Sequence, residues 1–185
     1  MFRYPDKPRW ATAGVLPVLK DEEWLAQLKA DGWRAVITVQ PDTVQLLSRH
    51  NLPLPASERL LDSAVRTLRG AGIPVGSILD GEWMGRRDQQ PEGLYLFDLL
   101  QWGASWIGLE STSSRFRKLR DVLTDHETTD VRLIPWTTSR FSEFFSASRS
   151  EPGMEGIVLK RATAPFVGSL RRSVDNPHWM KVRWR

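Results

Sequence analysis

Residues 27–39 read Gln27-Leu28-Lys29-Ala30-Asp31-Gly32-Trp33-Arg34-Ala35-Val36-Ile37-Thr38-Val39. A charged turn is set directly against an apolar, β-branched run. The run at 35–39 is bounded by Gly32 and Pro41, which predicts a short strand. Asp31-Gly32 is a common turn pair, so residues 29–34 alone suit a surface turn as well as a functional loop.

Before this stretch, Asp21-Glu22-Glu23 ahead of Trp24-Leu25-Ala26-Gln27-Leu28 reads as a short helix start or an acidic turn. After it, residues 57–70 place Leu60, Leu61, Ala64, Val65 and Leu68 at helical spacing, with Gly70 and Gly72 as stops. Residues 77–84 and 93–99 predict a strand pair joined by a polar loop at 85–92. Helices are expected over 115–123 and 140–147, and strands over 154–160 and 178–184. Helices and strands mix without a regular βαβ rhythm, which predicts an α+β fold with mainly antiparallel pairing. No internal repeat or low-complexity linker divides the chain.

At 185 residues a single domain buries roughly 70% of its unfolded surface and needs no disulfide or zinc. The absence of cysteine excludes disulfides, thiolate catalysis and Cys-ligated zinc. Met1-Phe2-Arg3-Tyr4-Pro5-Asp6 lacks the apolar run of a signal peptide, and no run approaches about 18 apolar residues. A soluble, cytoplasmic protein without membrane contact is expected. The net charge of +4 is concentrated late: Lys160, Arg161, Arg171, Arg172, Lys181, Arg183 and Arg185 face a single acid, Asp175. Such a segment suits phosphate, although a solvated basic tail has the same composition. Of the nine Trp, most are expected in cores and some on bases.

Three further clusters change the weight of residues 29–34. Asp80-Gly81-Glu82 follows an apolar run, although Asp80 would equally suit the cap of a strand-end turn. Glu155-Gly156-Ile157-Val158-Leu159-Lys160 opens with an acid and closes with a base. Trp179-Met180-Lys181-Val182-Arg183 puts two cations on one strand face. In this order and spacing the chain resembles the covalent nucleotidyltransferases: ATP-dependent DNA ligases, RNA ligases and mRNA capping enzymes. Ser48-Arg49-His50-Asn51 is similar to the ligases' Ser-Arg-Asn element with one residue inserted. Tyr95-Leu96-Phe97-Asp98-Leu99-Leu100 is similar to their base-stacking strand, although alternating Tyr95, Phe97 and Leu99 would suit any half-buried strand. The likeness runs from about residue 22 to the last residue.

The resemblance implies an adenylation domain over residues 1–185, with antiparallel sheets flanking a nucleotide cleft and no C-terminal OB-fold. Lys29 would be the nucleophile toward ATP, with Lys181 and Arg183 as catalytic cations. Arg34 would contact the ribose or the nucleotide's terminal oxygen, Glu82 the ribose hydroxyls, Phe97 the adenine, and the backbone near Gln27 the base edge. Lys160, Lys181 and Arg183 would contact phosphate. Glu155 would hold Mg2+ or Mn2+, with Glu82 or Asp31 acting through water. Arg49, Arg171 and Arg172 would grip nicked or broken DNA or RNA. The fifth motif departs from the family: Arg183, a planar fork, stands in place of a second Lys. His50, His126 and His178 show no metal-ligand spacing and read as structural or surface residues.

The expected activity is lysyl-AMP formation on Lys29, AMP transfer to a 5′-phosphate, and sealing by a 3′-hydroxyl, with DNA slightly preferred. The chain would act as a monomer, with an accessory protein as a possible replacement for the OB-fold. A small RNA ligase comes second and a capping-type guanylyltransferase third. A non-catalytic nucleic-acid-binding module is the rival from another class.

Overall fold

The computed structural model describes residues 3–85 and 91–184. In chain order the elements are β1 (Lys7–Trp10), β2 (Trp24–Ala30), β3 (Trp33–Val39), β4 (Val44–Ser48), α1 (Glu58–Gly70), β5 (Ile78–Trp83), β6 (Leu94–Trp102) and β7 (Ser105–Trp106). They continue with α2 (Thr112–Leu123), β8 (Val131–Leu133), β9 (Trp136–Thr137), α3 (Phe141–Ala147), β10 (Met154–Arg161) and β11 (Asp175–Arg183).

The turn at Asp31-Gly32 carries the chain from one sheet to the other. β2 lies in a five-stranded sheet ordered β1-β11-β10-β2-β9. β3 lies in a six-stranded sheet ordered β4-β3-β5-β6-β7, with β8 added beside β6. A Cβ on Gly32 would collide with the Trp83 carbonyl oxygen, so the crossing requires glycine. The antiparallel expectation holds for every ladder except β1 with β11 and β6 with β8, which are parallel.

The helix expected over 57–70 forms, capped by Ser57 Oγ, which accepts from the Leu60 N–H at 3.2 Å. Its Leu60, Ala64 and Leu68 pack with Phe116, Leu119 and Leu123 of α2 over one face of the six-stranded sheet. Each fully buried Leu there contributes roughly 1.5–3 kcal/mol. The strand pair, the other two helices and the two late strands also form where expected. One alternative is corrected: Trp24-Leu25-Ala26-Gln27-Leu28 starts no helix. The chain turns over 21–23 and then runs straight as β2, because flanking strands β10 and β9 take its backbone groups and almost every side chain is buried. Of the polar loop expected at 85–92, residues 86–90 lie outside the described residues.

Alternation along each strand separates core from cleft. β2 sends Ala26, Leu28 and Ala30 into a second core with Ile157, Leu159, Val182 and Phe141, and turns Gln27 and Lys29 the other way. β3 buries Ala35, Ile37 and Val39 against the helices and turns Arg34 away from them. The two remaining faces enclose one cleft of about 660 Å³. Among the described residues no helix is long and apolar enough to cross a membrane.

Candidate active site

The cleft draws on both sheets and is lined by Gln27, Lys29, Arg34, Glu82, Phe97, Glu155, Lys160, Lys181 and Arg183. Nine residues far apart in the chain, all expected to act together, therefore share one space. Asp31 and Arg49 line it too.

At one end Lys29 closes β2. Its Nζ pairs with Glu155 Oε1, and Arg183 Nη2 reaches the same oxygen at 3.0 Å. The placement of Glu155 depends on a β-bulge. Met154 pairs with Ala30 and Gly156 with Lys29, which leaves Glu155 as the extra residue of β10. Without that insertion Glu155 would share a face with Ile157 and Leu159 and enter the core. The bulge turns it into the cleft instead. Lys181 stands beside this group; partial burial, then the charges of Lys29 and Arg183, push its ammonium below its usual range.

In the middle, Arg34 donates from Nε and Nη2 to both oxygens of Asp80. Asp80 caps no turn: it lies within β5 and is fully buried. Burial pushes its carboxyl upward, opposed by Arg34 and Lys160, and the bidentate geometry favours the ion pair. Glu82 Oε1 accepts the Gly32 N–H at 3.2 Å. Burial, outweighing Lys29 and Arg34, pushes the Glu82 carboxyl up to about 7.

At the far end Phe97 is the extra residue of a second register shift, since Asp80 pairs with Asp98 and Gly81 with Leu96. The guanidinium of Arg34 lies 4.9 Å from its ring centroid and Lys160 Nζ 4.8 Å. Gln27 Nε2 donates across the cleft to the Phe97 carbonyl at 3.0 Å, and Lys160 Nζ approaches that oxygen at 3.4 Å. Lys160 is 2% exposed, sits 4.4 Å from the Trp179 ring centroid, and is 3.7 Å from Asp98 Oδ2. Burial lowers its ammonium to about 8. Burial alone would raise Asp98, but Arg115, donating from Nε and Nη2 at 2.9 Å each, holds it below the usual carboxylate range with help from Lys160. Lys160 thus lies toward Phe97, four register positions from the Lys29 partner Gly156, or about 13 Å along β10.

The rims separate the remaining expectations. Arg49 sits exposed on the loop after β4, its Nε donating to His50 Nε2 at 3.1 Å. Arg171 and Arg172 are exposed on the connection before β11 and do not line the cleft. Sequence reading overlooked the N-terminal wall, where Pro5, Lys7 and Pro8 line the cleft. Asp6 anchors that wall: its carboxylate accepts from Val167 N, Gly168 N and Asn176 Nδ2, and its carbonyl from Arg34 Nη1 at 3.3 Å. The partnership of Asp98 with Arg115 was overlooked as well. An acid inside the apolar string Leu96-Phe97-Asp98-Leu99 was the available signal, because a buried carboxylate needs a cation.

A family model described as RNA ligase matches residues 22–183. The SPbeta prophage-derived DNA ligase-like protein LigB of Bacillus subtilis (strain 168) is 24% identical over 180 residues, covering 88% of this chain and 62% of its own length. A probable DNA ligase of Mycobacterium sp. (strain KMS) is 28% identical over 135 residues, covering 71% of this chain and 25% of its own. Among solved structures, the ligase domain of LigD from M. tuberculosis superposes with a TM-score of 0.74 at 20% identity, covering 95% of this chain and 60% of that one. The ATP-dependent DNA ligase of bacteriophage T7, in complex with ATP, gives 0.62 at 17% identity, with 97% and 67% covered. These structures share the fold of this chain.

Proposed function

The chain belongs to the RNA ligase family, and we propose that it is an ATP-dependent polynucleotide ligase acting through lysyl-AMP on Lys29. One observation carries the reading. Lys29 shares Glu155 with Arg183 at one end of a cleft whose other end presents Phe97 beside two cations. A nucleotide with its base toward Phe97 directs its phosphates at Lys29.

The amine of Lys29 attacks the α-phosphorus of ATP, forming an N–P bond as the P–O bond to pyrophosphate breaks. The ammonium must first shed a proton, and Glu155 Oε1, bonded to it, is the nearest acceptor. Arg183 and Lys181 balance the charge that grows on the phosphate oxygens. Phe97 stacks on the base, an interaction of about 1–3 kcal/mol. Arg34 is held in place by Asp80, and with Glu82 it faces the sugar. AMP then passes to a 5′-phosphate, and a 3′-hydroxyl displaces it. Arg49 on the cleft rim, with Arg171 and Arg172 farther out, holds the strand.

The donor set also suits a hard divalent ion. Among the described residues no cluster of three metal-binding side chains occurs, but magnesium needs only one or two carboxylates, with water and phosphate oxygens completing its shell. Glu155, with Glu82 as the second carboxylate, would hold magnesium or manganese, and the ion would supply charge neutralisation at the phosphates.

The names of the relatives support DNA as the substrate, whereas the description of the family model supports RNA. Incubation with labelled ATP or GTP and magnesium, followed by intact-mass measurement, tests the reading. One AMP per chain is expected on the wild type and none on Lys29→Ala. An adduct on the alanine variant sinks the assignment. Matched nicked DNA and RNA duplexes then decide the strand.

A further inference from the structure

Residues 3–10 precede the span matched by the family model, yet Pro5, Lys7 and Pro8 line the cleft and Trp10 stands just behind them, at the end of β1. The wall is locked down by the buried Asp6 and by the parallel pairing of β1 with β11. That register sets Trp10 opposite Lys181. The Lys181 ammonium lies 4.5 Å from the Trp10 ring centroid and the Arg183 guanidinium 4.9 Å, while the indole remains 62% exposed. An exposed Trp is common enough. One that carries both cations of a phosphate-facing strand is not explained by packing.

We propose that Trp10 is a positioning residue for the phosphates of the incoming nucleotide, holding Lys181 and Arg183 in place through its ring face. The proposal rests on the ligase reading given above. Two long cations side by side repel each other and lose rotamer freedom when fixed, and an indole beneath them offsets both costs. Arg183 has a second anchor, Glu155 at 3.0 Å, which it shares with Lys29. When Lys29 leaves Glu155 to meet a phosphate, that cluster reorganises. Trp10 is the contact of Arg183 that chemistry at Lys29 leaves undisturbed. The wall is thus a working part of the site, although it lies outside the matched motifs.

The test compares Trp10→Ala and Trp10→Phe with the wild type, using tripolyphosphate as a probe of the phosphate seat. Calorimetric titration should show affinity lower by roughly 5-fold or more for the alanine variant, the scale of a lost cation–π contact, and largely restored by phenylalanine. In ATP-dependent self-adenylation the alanine variant should show a raised KM with a smaller change in kcat. Sealing of a pre-adenylated strand should change less than self-adenylation. Melting temperatures should stay close together, because the ring is mostly exposed. Equal tripolyphosphate affinity for wild type and Trp10→Ala, or no binding by the wild type, overturns the proposal. If the wild type forms no lysyl-AMP but Trp10→Ala still weakens tripolyphosphate, the ligase reading fails and the role of Trp10 in the phosphate seat stands.

Discussion

The two ends of the cleft handle charge in opposite ways. At the Lys29 end, the side chains of Lys29, Glu155 and Arg183 are 20%, 19% and 35% exposed and share a single carboxylate oxygen. At the Phe97 end, Asp98, Arg115 and Lys160 are at most 2% exposed, and Asp98 is bonded bidentately by Arg115. A charge that must exchange partners during a reaction cannot be fully desolvated and saturated, because every exchange would then leave an unpaired buried ion. A charge that only shapes a platform can be. The contrast separates groups suited to chemistry from groups that hold the Phe97 end rigid.

The sharpest way to break this comparison is to remove a cation from the buried end. Arg115→Ala removes both guanidinium hydrogen bonds to Asp98, leaving it, among the described residues, only Lys160 at 3.7 Å as a paired cation, and should cost about 3–5 kcal/mol of folding stability in denaturant titration. A loss below about 1 kcal/mol, the scale of a surface pair, would show that the buried network is not structural. At the other end the effect should fall on rate. Glu155→Ala should slow self-adenylation by at least ~100-fold while the melting temperature moves little. Near-normal adenylation across magnesium concentrations would move the carboxylate role to Glu82. Between these, Phe97→Ala should raise the apparent KM for ATP by roughly 10-fold, within the range for base–aromatic stacking, with kcat affected less. An unchanged KM would mean that the base binds elsewhere.

The smallest effect is a pH slope. Burial lowers Lys160 to about 8 from the ordinary 10.5. Between these values the unfolded chain carries a proton that the folded chain has released, so stability from this group rises with pH across that window. Denaturant unfolding at pH 8 and pH 10 should show wild type gaining on Lys160→Met by at most about 1 kcal/mol per pH unit. Parallel behaviour of the two proteins would place Lys160 in a wetter setting than its burial implies.

The sequence was most legible where a residue's identity and its spacing carried the signal together. Helix α1 could be read from its apolar period and its glycine stops, and β3 from its β-branched run between Gly32 and Pro41. The short β1, β7, β8 and β9 could not be read, because four or fewer residues hold too little pattern and their partners are distant in sequence. Segment 24–28 was ambiguous for a related reason. A strand covered on both faces loses the alternation that distinguishes it from a buried helix.

What the residues determined by themselves is the chemical inventory: an amine at Lys29, a carboxylate at Glu155, an aromatic ring at Phe97, and cations at Lys160, Lys181 and Arg183. Tertiary structure alone decided how these meet. It put bulges at Glu155 and Phe97, paired Arg34 with Asp80 and Asp98 with Arg115, and brought Trp10 under Lys181 and Arg183. The reason is physical. A bulge is a mismatch between two strands, and an ion pair is a meeting of two distant segments. Neither exists in the local pattern of either partner until the sheets have formed.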